Sequence, residues 1–342
     1  MKALKIFYGI CGEGFGHSGR SLALIERLTA LGHSVTIFTF GAAGRMLSGA
    51  GYRTHAIAGL HFGESRDGGV NALATAGNFT RFVCNRGHSL DVIRQQALAE
   101  RPDLFLTDFE PLTAMTAAAL RLPCISVDSQ HRFCQPLGNE FPFRLRAYGR
   151  LAGQFVRHWI KAQRAIVAVF HRCASGSPIH HVDAFIRQRI ADLQPSEGEA
   201  ILLYARGELG RRLVEVARTV SARFVAYGCE ATSAPNIEFR QANYDTFAAD
   251  LAACRAVLCA GGQQLIGEAR YFGKPLLVVP IPRQHEQEIN ARYAQAEGIG
   301  EYCPIGELSS GRVNNFLRRR FSIARSTNGV DRALELLGIS NG

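Results

Sequence analysis

The sequence predicts an α/β protein with two doubly wound parallel-sheet domains that face a cleft. Short apolar runs that suit buried strands alternate with segments of helical periodicity, a pattern typical of parallel sheets covered by helices. The alternation is interrupted by one polar segment and then starts again. The length of 342 residues suits two domains better than one. We therefore expect a ligand to bind where the carboxyl ends of the strands of both sheets meet the cleft.

The first half of the chain contains the elements of one such sheet. The helix after the first strand ends before Gly32, and a glycine-rich stretch of less regular sequence follows the second strand. The predicted elements are, in order, strand Leu4–Ile10, helix Ser18–Leu31, strand Ser34–Phe40, helix Ser89–Glu100, strand Asp103–Thr107, helix Thr113–Leu120 and strand Cys124–Val127.

The second half repeats the pattern after the polar segment Asp192–Glu199, which carries Pro and Gly and which we interpret as the hinge. Its predicted elements are strand Ala200–Tyr204, helix Leu209–Val220, strand Arg223–Ala226, helix Thr246–Ala252 and strand Ala256–Cys259. We expect an N-terminal domain over residues 1–192 and a C-terminal domain over 193–325. In the last segment, 326–342, a helix over 329–337 is expected to pack back toward the N-terminal domain.

The composition indicates an ordinary soluble protein of a reducing compartment. Hydrophobic residues make up 47% of the chain and charged residues 20%. The nine cysteines are scattered and never form a Cys-x-x-Cys pair, which argues against a disulfide framework or a zinc site. The N-terminus enters a strand directly, and no apolar run approaches the roughly 20 residues of a membrane span. We expect a cytoplasmic protein.

The net charge of +10 is unevenly distributed. The stretch between Phe141 and Val182 lacks Asp and Glu and predicts a helix with an apolar stripe beside a basic one. The apolar stripe comprises Leu145, Tyr148, Ala152, Phe155 and Trp159, and the basic one Arg146, Arg150, Arg157, Lys161 and Arg164. Two interpretations stay open: a helix that lies on an anionic membrane surface, or a packed helix with a solvated basic face.

Nucleic acid is disfavoured as a partner, despite the positive charge. The chain has only four lysines, no recognised nucleic-acid-binding motif and no aromatic platform within the charged stretch.

The segment Cys259–Ala291 carries the strongest signal for chemistry. A turn of two glycines, Gly261 and Gly262, leads from a strand into a helix. Such a turn exposes backbone N–H groups at the positive end of the helix, which suits a diphosphate. Glu268 lies one helical turn beyond Gln264 on the same face, where its carboxylate can accept both hydroxyls of a ribose. Together these features predict a site for a nucleoside diphosphate.

The loop after the first strand is also rich in glycine. Gly14 and Gly16 allow the backbone to approach a substrate closely, and with Gly19 they fit the dinucleotide pattern G-x-G-x-x-G. That pattern requires an acidic residue at the end of the second strand to bind a ribose, and this strand ends without one. A nicotinamide-dependent oxidoreductase is therefore disfavoured, and the lack of a G-K-[ST] motif excludes a P-loop.

His17 follows this loop and is the candidate general base, because an imidazole can accept a proton near neutral pH. Asp108 ends a buried strand, where a carboxylate could fix the tautomer of His17 and stabilise the imidazolium. The alternative is a capping or structural role for His17 and a cap of the following helix for Asp108. Glu13 is a rival base, and Asp128 is a further candidate on the same side.

The sequence does not predict a metal cofactor. It contains no Asp-x-Asp pair of the kind that bridges a divalent cation to a diphosphate. His180, His181 and Asp183 look like a ligand cluster, but neighbouring residues of one element diverge, which favours a surface or hinge role. We expect the phosphates to be neutralised by the helix dipole, backbone N–H groups and Arg206.

Two motifs carry a resemblance to a known family. The N-terminal one is G-x-G-F-G-His17, followed by Arg20-Ser-Leu-Ala-Leu. The C-terminal one joins Ala260-Gly-Gly-Gln, Gly267-Glu268-Ala, Gly273-Lys-Pro275, Glu286-Gln287 and Asn290-Ala291. Both halves resemble the GT-B glycosyltransferases, whose two domains are Rossmann-like, and the order of elements agrees over nearly the whole chain. The similarity is closest to the MurG-like N-acetylglucosaminyltransferases of the peptidoglycan lipid precursor and to the UDP-glycosyltransferases.

The resemblance implies a role for each matched residue. His17 matches the general base, Asp108 matches its partner, and Gly14 and Gly16 belong to the acceptor loop. The implied donor-binding residues are Gly261, Gly262, Gln263 and Gln264 at the diphosphate, Glu268 at the ribose, and Glu286 and Gln287 at the sugar. Asn290, of the same motif, and Arg206 and Gly207, which replace the usual Gly-Ser, are also placed on the donor side.

Two departures from the family pattern leave the donor open. Glu286 stands where many members carry Asp, which leaves the sugar unassigned. The aromatic-Pro-Gln element that precedes the last strands is replaced by residues 239–244, which leaves the nucleotide base unassigned, with uridine favoured.

The resemblance implies a metal-independent, inverting hexosyltransferase that uses a nucleotide-diphosphate sugar. Under its membrane interpretation, the basic stretch points to a lipid-linked or cell-envelope saccharide acceptor. It also points to a peripheral position on the inner face of the cytoplasmic membrane. Two alternatives stay open. A UDP-sugar 2-epimerase shares the fold but needs no acceptor, and a non-catalytic nucleotide-sugar-binding protein would not need His17.

Overall fold

The structure, a computed structural model, describes residues 2–13, 16–61, 63, 72–171, 173, 176–230, 234–241 and 243–339. Contacts between residues divide the described chain into two compact units. The first unit contains residues from 2 to 63, from 72 to 187 and from 328 to 339, and the second contains residues from 188 to 327. Each unit holds one parallel sheet, so the predicted α/β class is confirmed.

The sheet of the first unit has seven parallel strands in the order β3-β2-β1-β4-β5-β6-β7. Its strands are β1 (Lys5–Ile10), β2 (Ser34–Thr39), β3 (Thr54–Ala56), β4 (Leu104–Asp108), β5 (Cys124–Asp128), β6 (Arg164–Ala168) and β7 (Ile179–Val182). Its helices are α1 (Gly16–Ala30), α2 (Gly41–Gly49), α3 (Ala72–Glu100), α4 (Pro111–Leu120), α5 (Phe143–Trp159) and α12 (Gly329–Leu337).

Helices cover both faces of this sheet, which explains why its strands are apolar on both sides. Ile6, Tyr8 and Ile10 of β1 point to the face covered by α1, α2 and α12, where they form one core. Phe7, between them, points to the opposite core, which α3, α4 and α5 complete. The alternation follows from the two-residue period of a strand. Helix α12, at the C-terminal end of the described chain, therefore belongs to the core of the first unit.

The sheet of the second unit has six parallel strands in the order β10-β9-β8-β11-β12-β13. Its strands are β8 (Ile201–Tyr204), β9 (Phe224–Tyr227), β10 (Ile237–Arg240), β11 (Ala256–Cys259), β12 (Leu276–Val278) and β13 (Gly300–Tyr302). Its helices are α6 (Gln188–Ala191), α7 (Gly207–Ala217), α8 (Tyr244–Ala253), α9 (Gln263–Phe272), α10 (His285–Ala296) and α11 (Ser310–Arg318).

Both sheets have a topological switch point, where successive connections leave in opposite directions. It lies between β1 and β4 in the first sheet and between β8 and β11 in the second. Loops at the carboxyl ends of the strands diverge at such a point and leave a crevice, which is where open α/β sheets bind ligands. The predicted residues His17 and Asp108 follow β1 and end β4, and Arg206 and Gly261 follow β8 and β11.

Several elements differ from the sequence prediction. Helix α3 begins at Ala72 rather than at Ser89, and the stretch predicted to be irregular contains α2 and β3. Glycine explains the late predicted start of α3, because Gly77 and Gly87 have low helix propensity and weaken the helical pattern of the sequence. Neither glycine is required by packing, since no described atom lies within 4 Å of a Cβ built at either position. His180 and His181, for which the sequence favours a surface or hinge role, lie in the edge strand β7.

The predicted apolar stripe of α5 packs inside the first unit. Leu145 is buried, and the ring of Trp159 lies against Phe79 and Phe82 of α3, with centroids 5.3 and 6.2 Å away. The centroid of Tyr148 is 5.7 Å from that of Phe133. The stripe is therefore not available to a membrane. Of the two interpretations, the packing of this stripe agrees with the packed helix. No helix among the described residues has both the length and the hydropathy to cross a bilayer.

Candidate functional site

The crevice of the first unit holds a histidine–aspartate pair. Nδ1 of His17 lies 2.8 Å from Oδ1 of Asp108. Two features of the fold produce this distance: α1 begins at Gly16, which puts His17 in its first turn, and Asp108 pairs with Ile10 at the end of β1. The Asp108 side chain is fully buried and that of His17 is 14% exposed. The two residues singled out as base and partner are thus in hydrogen-bond contact.

Arg20 and Ser21 complete the surroundings of Asp108. Nη2 of Arg20 donates to Oδ1 over 2.6 Å and its Nε to Oδ2 over 3.1 Å, while the Ser21 hydroxyl donates to Oδ2 over 2.9 Å. Residues 17, 20 and 21 share one face of α1 because of the helical period. From the sequence, Arg20 is recognised only as part of the N-terminal motif. The helical spacing of His17, Arg20 and Ser21 is the signal that Arg20 contacts the same carboxylate as His17.

The charge of Asp108 is set by opposing effects. Burial alone would raise its pKa, but the Arg20 guanidinium and then His17 lower the pKa below its ordinary value. The carboxylate is therefore ionised and accepts the Nδ1 proton of His17. Nη2 of Arg20 also lies 3.1 Å from this Nδ1, but a protonated nitrogen cannot accept its hydrogen bond. With the proton on Nδ1, the lone pair of Nε2 is available to accept another proton.

The capping alternative for Asp108 is wrong, because the next helix is capped by Glu110. The Glu110 carboxylate accepts the backbone N–H groups of Leu112 and Thr113, each over 2.8 Å. Between the two acids, Phe109 adopts φ = 53°, an uncommon conformation for a bulky residue, and its ring stacks on that of His17 with centroids 6.1 Å apart. The strained turn separates the acid that holds His17 from the acid that caps α4.

The other predicted residues of this loop divide into two groups. Glu13, the rival base, pairs with Nδ1 of His61 over 2.6 Å. Gly16 begins α1, with no described atom within 4 Å of a Cβ built there, and Gly14 lies outside the described residues. At Gly12 the fold itself requires the close approach of two backbone segments, because a Cβ there would lie 2.1 Å from the carbonyl oxygen of Phe40.

Asp128 forms a second histidine–aspartate pair at the end of the neighbouring strand. Its Oδ2 lies 2.7 Å from Nδ1 of His131, and its Oδ1 accepts the backbone N–H of the same residue over 3.0 Å. The Ser126 hydroxyl donates to Oδ2 over 2.8 Å. Burial would raise the pKa of Asp128, but His131 and these hydrogen bonds lower it to about 2. Sequence reasoning named Asp128 without its partner.

The crevice of the second unit contains the predicted glycine turn. Gly261 has φ = 113°, which a residue with a side chain rarely adopts, and a Cβ there would lie 2.9 Å from the carbonyl oxygen of Gln287. Gly262 is the N-cap of α9 and has no side chain that could cap this helix end. The arrangement leaves the start of α9 unobstructed by side chains of the turn, as anion binding at a helix N-terminus requires.

Behind this turn, the acidic and amide residues of the motif bond to one another or to the backbone of the neighbouring loops. Nε2 of Gln264 donates to Oε1 of Glu268 over 2.9 Å, and Glu268 is buried. Asn290 donates to the carbonyl oxygen of Gly261 over 2.8 Å, and Oε1 of Gln287 accepts the N–H of Ile281 over 3.0 Å. Asn290 and Gln287 thus hold the loops of the site in place.

The remaining predicted donor residues lie at helix starts. Gln263 is the first residue of α9, and Glu286 lies in the first turn of α10. Arg206 is the N-cap of α7, and Gly207 begins that helix with φ = 56°. The Arg206 guanidinium lies 6.0 Å from the ring centroid of Tyr204. Both glycine-led helix starts, α7 and α9, therefore follow the two strands of the switch point.

No metal-ligand cluster is found in the described part of the chain. Its His, Cys, Asp and Glu side chains form no group of three or more that could hold a metal ion. His180 and His181 are consecutive residues of strand β7, so their side chains point to opposite faces.

Comparisons with known proteins agree with this architecture. The family model of glycosyl transferase family 1 matches residues 4–320. An uncharacterized glycosyltransferase of Methanosarcina mazei is 25% identical over 333 residues, which cover 87% of this chain and 85% of the relative.

A shorter match and a solved structure extend the comparison. A UDP-N-acetylglucosamine–N-acetylmuramyl-(pentapeptide) pyrophosphoryl-undecaprenol N-acetylglucosamine transferase of Rhodococcus opacus is 40% identical over 62 residues, 18% of this chain and 16% of that protein. The crystal structure of MurG from Acinetobacter baumannii covers 98% of this chain and 99% of its own, with a TM-score of 0.62 and 14% identity. At that identity the likeness concerns the fold.

Proposed function

Because the chain belongs to glycosyl transferase family 1 and is a glycosyltransferase of the GT-B fold, we propose that it transfers a hexose from a nucleotide-diphosphate sugar to a hydroxyl group, with inversion at the anomeric carbon. The observation that carries the proposal is the His17–Asp108 pair in the crevice of the first unit. An acceptor hydroxyl is a weak nucleophile until a base removes its proton, and this pair has the composition of such a base.

In the proposed reaction, Nε2 of His17 takes the proton of the acceptor hydroxyl. The hydroxyl oxygen forms the new bond to the anomeric carbon while the bond from that carbon to the diphosphate breaks. Asp108, ionised beside Arg20, keeps the Nδ1 proton in place and stabilises the imidazolium as it forms. A single displacement of this kind inverts the anomeric configuration.

We propose that the diphosphate of the donor binds at the start of α9. Negative charge accumulates on the diphosphate as it leaves, and the positive end of a helix stabilises such charge without a metal ion. The glycine turn at residues 261 and 262 supports this proposal, because it opens the helix start, and Glu268 is the proposed ribose ligand. UDP is the favoured nucleotide, in line with the name of the Rhodococcus opacus relative.

We propose a lipid-linked or cell-envelope saccharide as the acceptor and a peripheral position on the inner face of the cytoplasmic membrane. The predicted apolar stripe of α5 is packed inside the first unit, so the support for this proposal comes from the exposed face of the same helix. Phe143 is 73% and Leu151 68% exposed, and the exposed Arg144 and Arg150 are their neighbours in sequence. Two apolar side chains among arginines suit the interface of an anionic membrane.

The proposal is tested by donor binding and by transfer. A thermal-shift screen with UDP-, GDP- and dTDP-sugars should raise Tm with one nucleotide, because a bound donor stabilises the folded state. With that donor and an acceptor, His17→Ala should lower kcat at least about 100-fold, the usual contribution of a general base, and leave the donor-induced shift of Tm intact.

The control is His88→Ala, which changes an exposed histidine of α3 and should leave kcat unchanged. Equal activity of His17→Ala and the parent protein would contradict the proposal. Interconversion of the UDP-sugar without any acceptor would show an epimerase instead.

A further inference from the structure

The second histidine–aspartate pair, His131 with Asp128, stands beside the first at the same edge of the first sheet. Asp108 ends β4 and Asp128 ends β5, and these strands are neighbours in the parallel sheet. Neighbouring strands lie about 4.8 Å apart. In both pairs a fully buried carboxylate lies under an imidazole that it contacts at Nδ1.

Arg20 joins the two pairs. Its Nη2 donates to Asp108 over 2.6 Å, and its Nη1 donates to the Ser129 hydroxyl over 3.3 Å. Ser129 lies between Asp128 and the short 3-10 helix Gln130–Cys134, which carries His131. One buried guanidinium therefore spans the ends of β4 and β5.

Hydrogen bonds and packing fix the position of His131. Its ring is fixed by Asp128, and the 3-10 helix is pressed against α5, where a Cβ at Gly153 would lie 2.0 Å from the carbonyl oxygen of Phe133. Arg157 of α5 donates to the carbonyl oxygen of Cys134 over 2.8 Å at the end of the same helix.

The cap of this 3-10 helix does not explain the imidazole. Asp128 accepts the backbone N–H of residue 131, a bond that any residue except proline would make at that position. Compared with other residues, a neutral histidine with its proton on Nδ1 adds an N–H donor to Asp128 and a lone pair on Nε2. The side chain is 10% exposed, and no hydrogen bond to Nε2 is present among the described residues. In the neutral ring with its proton on Nδ1, the open end of the pair is a hydrogen-bond acceptor.

We propose that Nε2 of His131 accepts a hydrogen bond from a second hydroxyl of the acceptor substrate, beside the hydroxyl that His17 deprotonates. This inference rests on the proposed function and narrows the acceptor to a polyhydroxylated compound such as a saccharide. A neutral imidazole with its proton on Nδ1 can only accept at Nε2, so its partner must be a donor. An alcohol with a single hydroxyl would engage His17 alone.

The first test is NMR of the protein labelled with nitrogen-15 and carbon-13 in its histidines, with UDP present. The neutral His131 ring should carry its proton on Nδ1. Its Cε1 resonance should shift in a saturable manner with octyl glucoside, below the concentration at which this detergent forms micelles, and should not shift with 1-octanol. A proton on Nε2, or no response to octyl glucoside, would overturn the proposal.

The second test uses variants that separate the two ring nitrogens. In His131→Asn the amide occupies the place of Nδ1 and leaves nothing at Nε2, whereas the longer His131→Gln places an amide oxygen near Nε2. With octyl glucoside as acceptor, His131→Asn should raise the acceptor KM about tenfold, as expected for one lost hydrogen bond. His131→Gln should recover most of this loss, and the donor KM should stay unchanged in both variants.

The outcome is distinguishable from failure of the proposed function. If that function fails, no nucleotide sugar raises Tm and His17→Ala has no effect. If only this inference fails, the donor still binds and His17 is still required, but His131→Asn keeps the acceptor KM of the parent protein or changes the donor KM instead. The control His88→Asn should leave both KM values unchanged.

Discussion

Arg20 shows how much of the site depends on one residue. It is 3% exposed, donates twice to Asp108 and once to Ser129, and lowers the pKa of Asp108 against the effect of burial. Without it, a buried carboxylate would lose its main source of positive charge. A buried charge that loses its partner is far more costly than an exposed one, because water cannot replace the partner.

Arg20→Met should therefore destabilise the protein by about 3 kcal/mol, as found when a buried ion pair loses one partner. The matched control is Arg27→Met, about two turns further along α1. It breaks the ion pair of Arg27 with Asp331, in which the two side chains are 28% and 57% exposed. That change should cost about 1 kcal/mol or less. Urea denaturation measures both values, and equal losses would contradict the role given to Arg20.

The pKa of Asp128 predicts a pH dependence of stability. Its value of about 2 lies below the ordinary 3.8, so the folded state holds its proton less tightly than the unfolded state. The ionised carboxylate therefore contributes stability above about pH 4, roughly 2 kcal/mol in size, and this contribution disappears as the pH falls toward 2. The free energies of unfolding of the parent protein and Asp128→Asn should converge over this range. A constant difference would contradict the lowered pKa.

Helices and strands with a clear hydrophobic pattern and recognisable ends could be predicted from the sequence, whereas elements without these signals were missed. Helix α12 was predicted with its observed bounds, because its amphipathic pattern is bounded by Asn328, which caps it, and by Gly338 in a left-handed conformation. Strand β7 was missed because its residues IHHV, half-buried at a sheet edge, lack an apolar pattern. Helix α2 was missed because no side chain caps its start at Phe40.

The same distinction holds within the site. His17 and Asp108 were predicted because each follows or ends a strand of the sequence pattern. Arg20 lies beside His17 because of the helical period of α1, whereas Ser129 and His131 could not be placed beside the pair, because their proximity depends on the order in which β1, β4 and β5 lie in the sheet. That order is a property of the folded chain and is not encoded in any single segment.

The contact between α5 and the 3-10 helix predicts that a glycine-to-alanine change in α5 lowers stability, whereas the same change in α3 raises it. Gly153→Ala should destabilise the protein by about 1–3 kcal/mol, because its Cβ would lie 2.0 Å from the carbonyl oxygen of Phe133 and α5 would have to move. Gly87→Ala on α3 meets no described atom within 4 Å and should stabilise the protein by about 0.5–1 kcal/mol. Thermal or urea unfolding decides both, and stabilisation by Gly153→Ala would contradict the described contact.

At the scale of the whole molecule, the two units divide the chemistry between them. The first unit contains the histidine–aspartate pairs, and the second contains the glycine turn at which we propose that the diphosphate binds. The net charge of +10 adds a long-range attraction to anionic surfaces. The exposed face of α5 concentrates arginines beside exposed apolar side chains in the first unit.

The proposed peripheral position predicts that the protein binds to membranes. The protein should sediment with vesicles that contain anionic lipid at low salt and dissociate as the salt concentration rises. The double variant Phe143→Ser, Leu151→Ser should bind more weakly, whereas the control Leu98→Ser, which changes a leucine of α3 that is 63% exposed, should bind like the parent protein. Failure of the parent protein to sediment at low salt would remove the proposed peripheral position.

The proposed departure of a nucleoside diphosphate from the glycine turn at the start of α9 can be tested by a crystal structure of the protein with UDP. We expect phosphate oxygens within hydrogen-bond distance of backbone N–H groups of residues 262–264, and ribose hydroxyls on the carboxylate of Glu268. Density for UDP away from this helix start, or none at millimolar UDP, would contradict this proposal.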